Sequence, residues 1–404
     1  MNNQTLIKGA LAVAISLALS TSANAQCKLR VWEDIDKAQG IEKAVADFEK
    51  EFDCQVSVEN SPYVGHLAMM QDRETNGGAL PDIVMLPADR LGDAAKNKLL
   101  KPLNFINEDQ DNYLRNSLTA FTYKGEIYGC PRSVETMIVY YNQDLMKYPF
   151  EYMEDYYEFA QKMADKGLYG IVSKWDTIYY SYAFIKGFGG YVFGQKNETE
   201  LNPNDIGLDN DGAVKGVEYL QKFMRLAPKG ILGDQGYPYI DNLFTSGKVA
   251  CVITGPWALD AYAKAGINYG VAPLPKLPNG NFATPFLGFR GYAVTKYAQD
   301  QKLAEKFLRY INQDKYALER YNTIHELPPI KSLINSPEIL NDDFAASIGL
   351  QALHAEPTPS IPEMAQIWEP MNTAVGEAVT GAKDAREAMH EGAQKARDAI
   401  AAAK

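Results

Sequence analysis

Gly247-Lys248-Val249-Ala250-Cys251-Val252-Ile253-Thr254-Gly255-Pro256-Trp257 is the stretch on which the fold turns. Residues 249–253 are short, apolar and rich in β-branched side chains, the pattern of a fully buried strand rather than of a helix segment. Gly255-Pro256 then stops it. Glycine tolerates backbone angles closed to other residues and proline suits the first turn of a helix, so the pair converts a strand end into a helix start. Trp257 is the first large side chain beyond that turn. A rigid strand therefore delivers an indole to the mouth of a sheet, where α/β folds bind their ligands. The alternative is an indole packed between helix and sheet.

Working outward, residues 29–32 read as a strand that leads through the polar turn 33–37 into a helix with Ile41, Val45, Phe48 and Phe52 on one face. Residues 56–58 form the next strand, 67–71 are helical, and 81–86 form a third buried strand. This βαβαβ order predicts a parallel sheet with right-handed crossovers. The loops 33–37 and 87–90 then open on one edge, the place for a ligand. Further along, the extended segment 126–131 runs into the apolar 136–141 as a first crossing between lobes, and 285–294 recrosses. Strands are expected at 170–173 and 268–275, and helices at 155–163 and 303–311, the latter with Phe307 and Ile311 inward. Residues 382–400 read as an amphipathic helix packed on its own lobe. Gly187-Phe188-Gly189-Gly190 follows a helical stretch and is no dinucleotide fingerprint. Gly247-Lys248 lacks the glycine and the Ser or Thr of a phosphate loop.

At 404 residues the chain is long enough for two domains. Its net charge is −11 with no dense basic patch, which argues against nucleic acid or an anionic membrane as partner. Lys8 precedes an apolar run over 10–19, about half of a bilayer span. Ala23-Asn24-Ala25 follows with the small residues a signal peptidase needs. Residues 1–25 thus read as a cleavable signal peptide, with the mature chain starting at Gln26 and exported. Acylation at Cys27 is the weaker reading, because Gln26 is not small. In an oxidising compartment the four cysteines suit disulfides, and their spacing matches no metal site. Cys27 and Cys54 each precede a strand of the same βαβ unit. The pairing expected is Cys27–Cys54 with Cys130–Cys251, one of three connectivities, and free buried thiols are the alternative. No cofactor or metal is implied.

Trp257 and Trp368 both follow proline-bearing loops, and Tyr179 and Tyr180 add aromatic surface. Flat rings stack on the C–H face of a pyranose while charged side chains bond its hydroxyls, so this mixture is chemistry for a sugar. The polar candidates at strand ends are Asp36-Lys37, Asp89-Arg90 and Glu135. Each has a plain structural alternative: a solvated pair, a helix cap and a hinge residue facing water.

Several motifs carry a resemblance. They are Val31-Trp32 with Asp36-Lys37, Pro81-Asp82-Ile83 with Asp89-Arg90, Val134-Glu135, Gly189-Gly190-Tyr191, Ile253-Thr254-Gly255-Pro256-Trp257, Asn268-Tyr269-Gly270-Val271, and Ile361-Pro362 with Met364 and Trp368. Through them the chain resembles the periplasmic maltose/maltodextrin-binding proteins, the soluble receptors of ABC importers. The resemblance implies an α/β, two-lobed periplasmic binding protein fold, each lobe a mainly parallel sheet flanked by helices. It places an N-lobe at 26–133 plus 287–338, a C-lobe at 138–284 plus 343–404, and a hinge near 134–137, 285–286 and 339–342. Asp36, Lys37, Asp89, Arg90 and Glu135 then look like hydroxyl-bonding residues, and Tyr179, Trp257 and Trp368 like stacking surfaces.

Leu86, Glu369 and Asn372 depart from the family, which has tryptophan, tyrosine and arginine there. Thr177 replaces a glutamate, with Asp176 as the substitute at hand. The implied partners are a maltose/maltodextrin ligand, an inner-membrane ABC permease complex and a chemoreceptor, with the protein a monomer. The departures keep open another oligosaccharide or a polyol as cargo. A secreted glycan hydrolase is the third class, and it needs one protonated and one ionised carboxyl roughly 5–9.5 Å apart. Cations directly after Asp36 and Asp89 are expected to lower their pKa, and no motif surrounds His66, His325, His354 or His390, so the sequence speaks against an enzyme.

Overall fold

The computed structural model describes residues 27–197 and 200–403. The signal-peptide reading of residues 1–25, with the start at Gln26, lies outside them. Two larger sheets organise the chain. In the first, strands Cys54–Asn60 and Ile83–Pro87 flank Cys27–Glu33 in parallel. The intervening helix Glu42–Phe52 turns Ala44 and Phe48 inward, and Phe48 meets Phe307 edge-on at 5.1 Å. Strand Phe286–Val294 joins antiparallel to both Ile83–Pro87 and Cys130–Glu135.

The second sheet runs in the order Tyr269–Ala272, Ile138–Asn142, Val249–Thr254, Tyr169–Val172. Here Ile138–Asn142 is antiparallel to both neighbours, while Val249–Thr254 is parallel to Tyr169–Val172. The two-lobed α/β organisation stands; among the described residues parallel pairings predominate in the first sheet, and the second adds two antiparallel pairings to its parallel one. Cys130–Glu135 runs almost directly into Ile138–Asn142. A strand entering from the other lobe has its direction set by that passage, not by a helical crossover.

Val249–Thr254 is buried along its whole length. Each large apolar side chain enclosed there contributes roughly 1.5–3 kcal/mol. Gly247, at φ 67°, lets helix Gly236–Thr245 end and the strand begin, a left-handed position that glycine takes without strain. Beyond the strand, Pro256–Ala258 forms a 3-10 turn that continues as helix Leu259–Lys264.

Cys27 and Cys54 are register partners on adjacent parallel strands, 4.5 Å apart at Cα, and are joined by a disulfide. Closing a loop of this size contributes roughly 3–4 kcal/mol on the chain-entropy account. The expected Cys130–Cys251 bridge does not form: both thiols are free and buried. They belong to different sheets, whereas a disulfide needs Cα atoms within about 7 Å. Cys130 lies against the Tyr113 hydroxyl at 3.5 Å and Asn312 Nδ2 at 2.9 Å, and Cys251 Sγ is 3.2 Å from Met146 Sδ.

Candidate functional site

The strand ends of the two sheets face one another across a cleft. Lys37, Ser133, Glu135, Arg290 and Glu326 on one wall and Pro256 and Trp257 on the other line a narrow pocket that opens to solvent. The lobes touch through the Trp368 indole, which donates to Asp89 Oδ2 at 3.2 Å, and through His325 Nδ1, 2.8 Å from Asp260 Oδ1.

The first wall is built on arginines. Arg290 donates from Nε to Glu135 and from Nη1 to Asp34, each at 2.9 Å, with Tyr63 lying 4.8 Å beneath its guanidinium. Behind it, fully buried Arg132 donates to Glu33 at 2.6 Å, to Glu326 at 2.5 Å and to the Tyr292 oxygen at 2.7 Å. The Tyr292 hydroxyl in turn donates to Glu33. Burial alone would raise the Glu326 carboxyl, but Arg132, Lys37 and Arg290 outweigh it and hold the group below its ordinary value. Burial likewise works against the Arg290 cation, yet Glu135 and Asp34 keep it raised. Burial pushes the Tyr63 phenol up to about 12.

The second wall is aromatic. The Trp257 ring folds back over Gly255, where an added Cβ would lie 2.3 Å from indole carbons, so only glycine admits this pose. Tyr179, on helix Ile178–Gly187, has its ring 6.0 Å from Trp257, 6.0 Å from Phe286 and 6.4 Å from Trp368. Its hydroxyl is buried with no hydrogen-bond partner among the described residues. A buried polar group left unpaired costs about 1–3 kcal/mol.

Of the residues singled out from sequence, Lys37, Glu135 and Trp257 line the cleft cavity together. Tyr179 and Trp368 join Trp257 in the ring cluster. Asp89 and Arg90 occupy the 3-10 turn Ala88–Arg90, where Asp89 caps no helix but binds Trp368, with Arg90 Nε 3.6 Å away. The cation beside Asp89 pulls its carboxyl down without setting it. Burial raises it and outweighs both Arg90 and the indole. Asp36 is exposed at φ 58°, and the carboxylate of that loop that enters the wall is Asp34.

The departures also have positions. Leu86 is buried in its strand, and Glu369 is exposed. Asn372 Oδ1 accepts the backbone N–H of Ile178 at 3.0 Å, which satisfies an orphan donor at the start of the Tyr179 helix. Asp176 is held by Lys174 and by the Gly233 N–H at 3.0 Å. Sequence reasoning passed over Asp34, Tyr63, Phe286, Arg290 and Glu326. Arg290 carried a signal, since it is the lone charge in an otherwise apolar strand and a buried cation requires partners.

Residues 43–346 match the family model described as bacterial extracellular solute-binding protein. A galactooligosaccharide-binding protein from Bacillus subtilis (strain 168) is 38% identical over 405 residues, covering 97% of this chain and 96% of the relative. The maltodextrin-binding protein MdxE of the same organism is 33% identical over 359 residues, covering 87% of this chain and 85% of the relative. Among solved structures, a cyclo/maltodextrin-binding protein complexed with maltotetraose superposes with a TM-score of 0.80 at 32% identity, covering 92% of this chain and 97% of that one.

Proposed function

This chain belongs to the bacterial extracellular solute-binding proteins, and from that premise we propose that it captures an oligosaccharide of the maltodextrin class between its lobes and passes it unchanged to an ABC permease in the inner membrane. The observation that carries the reading is the opposition of the Tyr179, Trp257 and Trp368 rings to a wall of ionised side chains, Lys37, Glu135 and Arg290. Rings take the C–H face of a sugar and the charged groups take its hydroxyls. A ligand touching both walls favours closure by its differential affinity for the closed state. Asp36, Lys37, Asp89, Arg90 and Glu135 are the proposed polar contacts, to which Arg290 is added. Export by the 1–25 segment and action in the periplasm as a monomer complete the proposal.

A galactooligosaccharide cargo is the second reading, favoured by the 38% identity to the Bacillus subtilis relative of that name. Leu86 and Asn372, committed to the core and to a helix end, also weaken the case for an unaltered maltodextrin site. Hydrolysis has less support, because Glu135 is tied to Arg290 rather than free to act as base.

Calorimetric and tryptophan-fluorescence titration with maltose, maltotriose, maltotetraose, β-1,4-galactotriose, cellobiose and sorbitol tests all of these. Saturable binding of the malto series with no new reducing ends is expected. Preference for galactotriose would replace the first reading by the second, new reducing ends would establish a hydrolase, and silence toward every sugar would end the carbohydrate reading.

A further inference from the structure

The imidazole that bridges the lobes sits on a backbone that histidine adopts only at a cost. Helix Asp314–Ile324 ends at His325, whose φ of 55° is left-handed and whose N–H bonds the Tyr321 carbonyl at 2.8 Å. Glycine ends helices in this conformation without strain, so a larger residue held there points to a role for its side chain. The chain beyond it is pinned. Glu326 is bound by Arg132, and the Leu327 carbonyl accepts the Val134 N–H at 2.9 Å.

Across the cleft, His325 Nδ1 lies 2.8 Å from Oδ1 of Asp260, in the first turn of helix Leu259–Lys264. Among the described residues nothing else bonds that carboxylate. Ile324 and Glu326, which bracket His325, line the same pocket as Pro256 and Trp257, which lead into the Asp260 helix. Parting the lobes at this pocket therefore parts the pair. The imidazole and carboxylate are 33% and 28% exposed, so water screens them only in part. The other titratable groups around the contact are Tyr321, with its ring 6.3 Å from the imidazole, Tyr269 and Asp342, and Lys264 four residues after Asp260. Burial and Asp342 push the Tyr321 phenol up, and burial with Asp342 and Asp260 does the same for Tyr269, so both stay neutral. Glu326 answers Arg132 and Lys37 instead. Of these residue types, histidine alone ordinarily changes charge between about pH 5 and 8.

We propose that His325 is a positioning residue for closure, a latch across the cleft whose hold on Asp260 tightens when the imidazole takes up a proton, so that cargo is bound more firmly in mildly acid surroundings than at neutral pH. The sign follows from linkage. Only with the lobes together does the carboxylate stand beside the ring, so the closed form binds the proton more tightly than the open one, and lowering the pH favours closure. A neutral imidazole still donates one hydrogen bond from Nδ1, so the latch weakens toward alkaline pH without vanishing. This rests on the reading of the cleft as a cargo site that closes, and not on which sugar it takes.

The experiment is sugar titration of the mature protein between about pH 5.5 and 8, spanning the histidine range, with the tightest ligand of the panel above. Wild type is compared with His325→Gly, His325→Asn and Asp260→Asn. Glycine and asparagine both accept the left-handed backbone, so the two His325 variants should fold. Asp89, at the other contact between the lobes, has its own raised carboxyl, and any acid dependence it brings persists in the variants. The ratio of wild-type to variant affinity isolates the latch. From the alkaline to the acid end it should rise about two- to fivefold for each variant, the range of a partly exposed ion pair. A ratio that is the same at every pH, whether affinity is lost or kept, makes His325 structural only and overturns the proposal. If no sugar binds wild type, the carbohydrate reading fails by itself, and the latch is read from the distance between spin labels on exposed residues of the two lobes in the sugar-free protein. A distance that shortens toward acid pH in wild type but not in His325→Asn supports it, and equal profiles overturn it.

Discussion

The two walls of the cleft solve opposite problems. On the N-lobe side, charges are matched to one another: Arg132 with Glu33 and Glu326, Arg290 with Asp34 and Glu135. On the C-lobe side, rings meet rings and the Tyr179 hydroxyl has no partner among the described residues. The carboxylates of the first wall are paired within it, although the buried Arg132 Nη2 and Ser133 Oγ have no hydrogen-bond partner among the described residues. The second leaves bonding and contact surface unmet. Stability should therefore reside mainly in the charged wall, and affinity should be most sensitive to the aromatic one.

The largest effect expected is Arg132→Met. It strands Glu33 and Glu326 in the interior, and breaking a buried pair costs about 3–5 kcal/mol. Urea denaturation should show it, and an unchanged midpoint would erase the contrast between the walls. Trp257→Ala and Trp368→Ala should do the reverse. Each should weaken sugar binding by about 1–3 kcal/mol, a range set by truncation of buried aromatic contacts. Melting should move much less than in Arg132→Met, and wild-type affinity in both would assign the rings to the core.

Asp89→Asn probes the seam. The folded pKa of Asp89 is raised above 3.8, so its ionised form is disfavoured by folding at neutral pH. The variant should melt slightly higher than wild type at pH 7, yet bind sugar roughly tenfold or more weakly if this carboxylate takes a hydroxyl. Lower melting with intact affinity would make Asp89 a structural residue only. Glu326 behaves oppositely. Its folded pKa is lowered below 4.5, so its stabilisation is complete above pH 4.5 and is lost as the pH falls through the folded value. Glu326→Gln should flatten that acid limb in a pH series of melting temperatures.

Tyr179→Phe is the smallest change and the sharpest one. It removes a hydroxyl unpartnered among the described residues, so stability should hold or rise. Affinity should drop about two- to tenfold, the range of one neutral hydrogen bond. Equal affinity would mean that the cargo never meets this oxygen.

The strand at 249–254, the Gly255-Pro256 stop and the Cys27–Cys54 pair were legible because each depends on neighbours in sequence or on one βαβ unit. The same holds for the inventory of rings and charges near strand ends. Which carboxylate turns inward was not legible. Asp34 and Asp36 are two residues apart in one loop, and only the left-handed turn at Asp36 together with Arg290 on a distant strand selects Asp34.

By itself, then, the sequence determined the buried strands, the glycine-proline turn that presents Trp257, one disulfide and the kinds of side chain available at the cleft. Tertiary structure alone decided that Cys130 and Cys251 stay apart, that burial overrides Arg90 in setting the Asp89 carboxyl, and that Arg290 binds Asp34 and Glu135. The physical reason is range. Hydrophobic period and turn chemistry act over a few residues, whereas desolvation and ion pairing depend on what other strands bring within a few ångströms.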